Sequence, residues 1–122
     1  MPILKITERG WPGHFICADQ CVYRRNTLIE YGNKRVIVST VGNRRDDKGV
    51  IQIVGLDRYY ETMAFRAKKA NGYWEIDVSK QVDVTDWRIP TITDDVDTRA
   101  DQMHENAILE ISAKLSANSK LR

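Results

Sequence analysis

The segment TLIEYGNKRVIVSTV, residues 27–41, carries the clearest structural signal in the chain. It contains two runs of β-branched, aliphatic and aromatic residues, 27–31 and 35–41, which are separated by the short segment GNK at residues 32–34. Runs of this composition favour β-strands, and a short connection that contains Gly and Asn favours a tight turn between them. The segment therefore predicts a β-hairpin, and the rest of the sheet is expected to form around it.

Several segments outside the hairpin also have the composition of strands. The positions of residues 58–67 divide into two alternating faces, and a period of two residues fits a long strand. Polar and Gly-containing residues at 43–49 and 68–72 are expected to form turns. The predicted strands outside the hairpin are residues 3–7, 50–54, 58–67 and 73–78. We therefore expect an antiparallel sheet of about five or six strands within residues 3–87.

The last part of the chain has a different period. Acidic residues at 94, 95 and 97 precede a stretch in which apolar residues recur at helical spacing. The apolar positions are Ala100, Met103, Ala107, Ile108, Ile111 and Leu115. They predict one amphipathic helix of about 20 residues within 94–117, whose apolar side must be buried against the sheet. The expected fold class is α+β, with residues 1–122 forming a single domain.

The charge is divided unevenly along the chain, although the net charge is only +2. Residues 1–80 contain fourteen Lys and Arg against nine Asp and Glu, whereas residues 81–122 contain five against eight. The basic half is expected either to pair with the acidic half or to bind an anion such as a phosphate. The N-terminal segment lacks the features of a signal peptide, and no apolar run approaches the roughly 18 residues of a membrane span. A cytoplasmic protein without a membrane-spanning segment is expected.

No cofactor, metal or catalytic activity is predicted. The chain lacks the Walker, dinucleotide-binding, nucleophile-elbow and zinc-protease motifs. Cys17, Cys21, His14 and His104 are of the types that bind zinc, but their spacing is unlike that of structural zinc sites. Two buried thiols that pack as small apolar groups are the expected alternative.

The candidate ligand-binding residues combine guanidinium groups with aromatic rings. Arg suits phosphate because its planar fork donates two parallel hydrogen bonds, and Asn suits ribose hydroxyls or a base edge. Neighbouring Arg residues on a strand point to opposite faces, so one of Arg24 and Arg25 is expected to enter a pocket while the other stays in solvent. The alternative is that these residues are exposed and pair with the acidic helix half. The candidates are Trp11, His14, Arg24, Arg25, Asn26, Arg58, Tyr59, Tyr60, Met103 and His104. For Trp11 a core position, and for His104 a buried structural role, are the alternatives.

Several of these residues lie in segments that resemble a known family. Residues 9–15, 24–28, 38–42, 58–63 and 103–106 resemble the Thoeris anti-defence sponge family of phage proteins. The resemblance implies a sheet followed by C-terminal helices and assembly into homo-oligomers in the host cytoplasm. It also implies sequestration, without cleavage, of cyclic nucleotide immune signals: a glycocyclic ADP-ribose isomer, with other cyclic oligonucleotides as further ligands.

Three other functions remain open. The main alternative is a phage inhibitor that binds a host protein, such as an anti-CRISPR protein. Nonspecific nucleic-acid binding is less favoured, because the net charge is small and the basic residues are scattered along the sheet half. A phosphodiesterase that acts on similar ligands is the fourth hypothesis, and it has no motif in its support.

Overall fold

The computed structural model describes residues 2–10 and 13–117 of the chain. The strands are β1 (Leu4–Glu8), β2 (Cys21–Tyr31), β3 (Lys34–Arg45), β4 (Ile51–Gln52), β5 (Tyr60–Ala70), β6 (Tyr73–Val82) and β7 (Arg88–Ile89). One helix, α1 (Val96–Ala117), follows them, and a short 3-10 turn at Ala18–Gln20 precedes β2. The strand order is β1-β2-β3-β5-β6, with β4 paired to β3 and β7 to β5. All of these pairs are antiparallel, which confirms the predicted α+β class.

The predicted hairpin is formed by β2 and β3, which pair from Tyr31 and Lys34 at the turn to Cys21 and Arg44 at the far end. Gly32 has a φ of +62°, a conformation that glycine adopts without steric cost in a two-residue hairpin turn. The predicted turn at 43–49 is shorter than expected, because β3 continues to Arg45. The Asp46 carboxylate closes the remaining turn by accepting hydrogen bonds from the backbone N–H groups of residues 48 and 50.

The second long hairpin, β5–β6, also differs from the prediction. A turn at 68–72 is wrong, because β5 runs to Ala70 and only Asn71 and Gly72 connect the strands. Both residues have positive φ angles, +52° and +89°, as in the type I′ turn that an Asn-Gly pair favours. The Asn-Gly dipeptide was therefore the better signal for the turn.

Helix α1 is continuous over 22 residues and packs along one face of the sheet, here called the helix face. The apolar residues of its second half pack on the central strands, in a cluster of Ile29, Val36, Val38, Ala64, Val82, Ala107, Ile108, Ile111 and Leu115. Its first half packs on the start of β5 and on β7, in a cluster of Tyr60, Ile89, Val96, Ala100 and Met103. The predicted apolar stripe is thus the surface that joins the helix to the sheet.

The opposite face carries no helix in the described part of the chain and is here called the open face. The sheet curls over it and partly encloses it. The Arg9 side chain, just beyond β1, donates a hydrogen bond from Nη1 to the main-chain oxygen of Trp74 in β6, at a distance of 2.7 Å. These strands lie at opposite edges of the sheet, so the sheet must curl to bring them together. A register shift between Phe65 and Ala67 lies in the strand next to β6, and irregularities of this kind increase bending and twist. The curl explains why Ile37 is fully buried on a face without a helix.

Candidate functional site

A chain of buried polar groups crosses the open face. His14 Nδ1 lies 2.9 Å from Ser39 Oγ, and His14 Nε2 lies 3.2 Å from a carboxylate oxygen of Glu61. The other oxygen of Glu61 accepts a 2.8 Å hydrogen bond from Arg58 Nε. Burial alone would raise the pKa of Glu61, but the hydrogen bonds and charges of His14 and Arg58 outweigh it and lower the pKa below the usual value. Glu61 is therefore an anion that holds the side chains of His14 and Arg58 against the sheet.

The Ser39, His14 and Glu61 side chains have the types of a hydrolytic triad, but their burial prevents that use. Ser39 has no solvent-exposed surface, and the His14 side chain is only 3% exposed. A nucleophilic hydroxyl must reach the substrate atom that it attacks. This arrangement therefore holds the loop that carries His14 against the sheet.

A cavity of about 260 Å³ opens beside His14, where β6 curls over the open face. Its lining consists of Arg9, Gly13, His14, Asn26, Tyr73, Trp74, Glu75, Ile76 and Val78. The lining thus combines a guanidinium group, a carboxylate, an imidazole, an amide, two aromatic rings and aliphatic side chains. This is the composition of a site for a polar ligand that also has a flat apolar part.

Of the residues in this cavity, Arg9 has the contacts that bear most directly on ligand binding. Its Nε donates to the side-chain oxygen of Asn26 at 2.8 Å, and its Nη1 donates to the main-chain oxygen of Trp74 at 2.7 Å. Both acceptors are neutral, and within the described residues no carboxylate lies within 4.0 Å of the Arg9 guanidinium. Burial lowers the pKa of Arg9 from its usual value, the charges of Tyr73 and Glu30 act in the opposite direction, and the group remains a cation. A half-buried cation with neutral partners attracts an anionic ligand.

A second opening, a groove of about 430 Å³, lies where the chain leaves β6 and loops towards β7. It is lined by Arg58, Thr62, Met63, Gln81, Asp83, Val84 and Trp87. The guanidinium carbon of Arg58 lies 4.9 Å from the centre of the Trp87 ring. Arg58 also forms ion pairs with Asp57 and Glu61, so its charge is already balanced within the protein. The cavity at Arg9 is therefore the better anion site.

A second polar network lies between the sheet and the helix, with His104 at its centre. His104 Nε2 lies 2.8 Å from Thr27 Oγ1, and its Nδ1 lies 2.6 Å from Thr40 Oγ1. Thr27 donates its hydroxyl hydrogen to the Glu8 carboxylate, so it must accept the hydrogen of His104 Nε2. Thr40 then donates to Nδ1. The ring is thus held neutral in one tautomer, and burial lowers its pKa to about 4.

Arg25 extends this network to the surface of the helix. Its Nη2 donates to Glu8 at 2.6 Å and to Glu105 at 2.7 Å, and these partners raise its pKa against the effect of burial. The expected pairing of a basic strand residue with the acidic helix half is therefore confirmed for Arg25. Arg24 lies next to it in β2, where alternation places it on the other face. Its Nη1 is 3.5 Å from the main-chain oxygen of Ala18.

The ten predicted site residues are divided between the two faces. His14 and Asn26 border the cavity, but the Asn26 side chain has no exposed surface and acts through Arg9, from whose Nε it accepts a hydrogen bond. Arg58 lines the groove, and Arg24 lies on the open face. Tyr60, Met103 and His104 are corrections to the prediction, because they are buried between sheet and helix and cannot touch a ligand in this structure. Arg25 is engaged by the helix, and Tyr59 packs half-buried beside Tyr60. Trp11 lies outside the described residues.

Seven of the nine residues that line the cavity were not predicted from the sequence, among them Arg9, Tyr73 and Trp74. Arg9 belongs to the segment 9–15 that resembles the sponge family, so it had a weak signal. Tyr73 and Trp74 had none, because they were assigned only to a strand. They reach Arg9 through the curl of the sheet, which no local pattern predicts.

The cysteines and histidines do not form a zinc site in the described residues, where no group of three or more His, Cys, Asp or Glu side chains is placed to hold a metal. His14 lies on the open face and His104 on the helix face. Cys17 and Cys21 are free thiols, and burial raises the pKa of Cys21 to about 11. Cys21 is 2% exposed and packs with Ala18, Val41 and Val54, as expected for a small apolar group.

Comparisons with known proteins add no assignment to this geometry. The chain matches no protein-family model, no curated protein and no solved structure. Within residues 2–10 and 13–117, no helix has both the length and the apolar character needed to cross a membrane. The candidate site therefore rests on the chemistry of its own residues.

Proposed function

We propose that this protein is a phage anti-defence protein that sequesters a cyclic nucleotide immune signal in the host cytoplasm without cleaving it. The ligand class is that of glycocyclic ADP-ribose, with other cyclic oligonucleotides as further ligands. One observation carries the proposal: the half-buried Arg9 cation has neutral partners and lies in a cavity beside aromatic rings.

The chemistry of such a ligand fits the cavity group by group. The Arg9 guanidinium supplies donors for a phosphate oxygen, and charge-assisted bonds of this kind are the strong ones. Tyr73, which is 54% exposed, offers a flat surface for an adenine ring, while Glu75 supplies carboxylate oxygens at the wall for ribose hydroxyls. Sequestration needs affinity and no reacting group, which agrees with the buried state of Ser39.

The size of the cavity bears on the assembly. Its volume of about 260 Å³ lies below the range of about 300–1,000 Å³ in which drug-sized ligands are enclosed. A cyclic dinucleotide-sized ligand would therefore extend beyond one subunit. A second copy of the chain would cover the exposed part, so we include a homo-oligomer in the proposal.

Isothermal titration with cyclic ADP-ribose isomers and cyclic oligonucleotides tests the proposal. The variant Arg9→Gln is expected to weaken binding about tenfold or more, because it removes a charge-assisted contact to phosphate. Arg45→Gln is the matched control: Arg45 also donates from Nε to an Asn side chain and from Nη1 to a main-chain oxygen, but at the exposed end of β3. The control should bind like the parent protein.

The fate of the ligand separates a sponge from an enzyme. Bound ligand should be released by heating with its mass unchanged. Failure of every tested nucleotide to bind, or equal loss of affinity in both Arg variants, would contradict the proposed site. Recovery of a cleaved ligand would favour a phosphodiesterase.

A second candidate function, an inhibitor that binds a host protein such as an anti-CRISPR target, is favoured by a different observation. Several exposed apolar side chains belong to the segments around one end of the sheet, near the 3-10 turn and β4. They are Ile16, Val22, Val50, Ile53 and Leu56. Exposed apolar groups of this kind often belong to protein interfaces. Co-purification of a stoichiometric host protein, without bound nucleotide, would favour this function over the first.

A further inference from the structure

One end of the sheet carries more positive charge than the chain as a whole. This basic end includes the β2–β3 and β5–β6 turns, and its cations are Lys5, Lys34, Arg35, Arg66, Lys68 and Lys69. Three carboxylates lie in the same segments, those of Glu30, Glu75 and Asp77, and two of them pair with these cations: Glu30 with Arg35 at 2.9 Å and Glu75 with Lys68 at 4.0 Å. The resulting excess of three positive charges is larger than the net charge of +2 for the entire chain. The fold therefore concentrates positive charge here.

Trp74 holds two of these cations in place. The guanidinium carbon of Arg35 lies 4.3 Å from the centre of the Trp74 ring, and Lys69 Nζ lies 4.8 Å from it. Cations at these distances are attracted by the ring. Glu30 also accepts a 2.9 Å hydrogen bond from Arg35 Nε. The positions of the charges are thus defined by the fold, which lowers the ordering cost of binding an anion.

The basic end also presents an aromatic ring to solvent. Tyr73 is 54% exposed and directly precedes Trp74, at the start of β6. Cationic groups beside an exposed ring are the recurring chemistry of proteins that bind single strands, in which phosphates are neutralised and unpaired bases stack. A duplex keeps its bases stacked inside, so the ring would contribute only to single-strand binding.

We propose that the basic end binds single-stranded nucleic acid, with its cations on the phosphates and Tyr73 stacked on a base. This activity goes beyond sequestration of a small cyclic ligand at Arg9. It also revises the sequence-based expectation that the basic residues are scattered. They are scattered along the chain, but antiparallel pairing brings residues 34–35 beside residues 66–69.

Fluorescence anisotropy with labelled oligo-dT and oligo-U of about 20 nucleotides, at several salt concentrations, tests this proposal. The logarithm of the association constant should fall linearly with the logarithm of salt concentration, with a slope of about −0.7 per phosphate contact. The double variant Lys5→Gln/Lys69→Gln should reduce the steepness of that slope by about 1.4, since it removes two cations that strand pairing places on the same face as Trp74. Arg45→Gln/Lys48→Gln is the charge-matched control: these two exposed residues lie at the other end of β3 and in the turn that follows it, and the variant should leave the slope unchanged.

The variant Tyr73→Leu tests the stacking part. It should weaken single-strand binding about fivefold or more at constant salt slope, and should have little effect on a duplex of the same length. Absence of oligonucleotide binding, or equal effects of the two charge variants, would overturn the proposal. Equal affinity for duplex, or equal competition by polyglutamate, would show a surface that responds to charge alone and would overturn the assignment to single strands.

Discussion

At the scale of single residues, His104 is fully buried, and both of its ring nitrogens are satisfied by threonine hydroxyls of β2 and β3. A second proton on the ring would have to face Thr40 Oγ1, which already donates to that nitrogen in the neutral tautomer. Thr40 Oγ1 is also 2.6 Å from Thr62 Oγ1, so the chain of hydroxyls continues into β5. Protonation of His104 would therefore disturb contacts between the helix and three neighbouring strands.

The pKa of His104 predicts how stability depends on pH. Because the pKa is about 4 in the folded protein and has its ordinary value of 6.5 in the unfolded chain, the unfolded chain binds more protons between these values. The free energy of unfolding should therefore fall as pH decreases from 6.5 towards 4, by up to about 3 kcal/mol. Urea unfolding at pH 5.0–7.5 measures this change.

The variant His104→Gln isolates the contribution of the imidazole. It should be less stable than the parent protein at pH 7.5, where the imidazole is neutral in both states, but its stability should change little between pH 6.5 and 5. Glu8 and Glu61 also have lowered pKa values in the folded protein. Their contributions to stability are therefore lost only as pH falls below the ordinary carboxyl pKa, which is below the range of pH 5 to 6.5. If the free energy of unfolding of the variant still fell with pH as in the parent protein, the titrating group would be a residue other than His104.

At the scale of elements, the helix is held to the sheet by its apolar side and by the polar groups around His104 and Arg25. Ile111 has no exposed surface and belongs to the apolar cluster with the central strands. Leu109 lies two positions earlier on the same helix and is 68% exposed. Alanine substitutions at Ile111 and Leu109 therefore distinguish the contribution of packing from that of helix propensity.

Ile111→Ala should lower the free energy of unfolding by about 3 kcal/mol, because it removes buried contacts and leaves a cavity. Leu109→Ala, the control, should change stability by less than about 0.5 kcal/mol. Chemical denaturation monitored by circular dichroism gives both values. Similar losses in the two variants would mean that the helix does not pack on the sheet through this side.

At the scale of the whole molecule, the cavity at Arg9 is too small to enclose the proposed ligand, and apolar side chains are exposed at the end of the sheet near β4. Both features favour a homo-oligomer. We expect light scattering to give a mass that is a multiple of 14.1 kDa at micromolar concentrations. The affinity of two subunits falls when a charged side chain is buried in an apolar interface between them.

The double variant Ile16→Asp/Leu56→Asp should therefore reduce the mass to that of one chain. Leu109→Asp, on the exposed side of the helix, is the control for adding a charge at an apolar surface position. A parent protein that stays monomeric would leave the apolar end available to another protein, and would favour the inhibitor hypothesis. If only the Leu109→Asp control dissociated the oligomer, the subunit interface would lie on the helix instead.

Local patterns were sufficient for the elements that depend on neighbours in sequence. The hairpin at residues 27–41 and the helix within 94–117 were predicted because strand alternation, turn residues and helical spacing are written into adjacent positions. The end of β5 was misplaced, since the charged pair Lys68 and Lys69 resembles a turn when considered alone. Its pairing with β6 and the Asn71-Gly72 turn keep these residues in the strand.

The candidate site could be predicted only in part. His14 and Asn26 were named for their chemical types, whereas Tyr60, Met103 and His104 were named in the same way and are buried under the helix. The residue types alone do not show which of these side chains lie beside the cavity and which lie under the helix. Only the packing of α1 on one face distinguishes them.

The sequence by itself determined the antiparallel hairpin, the amphipathic helix and their combination in an α+β domain, because these follow from the period of apolar residues along the chain. Only the tertiary structure decided that Arg9 meets Trp74, that the helix encloses His104, and that six cations gather at one end of the sheet. Those contacts join residues far apart in sequence. They depend on strand order, register and curl, which are set by the packing of the whole domain.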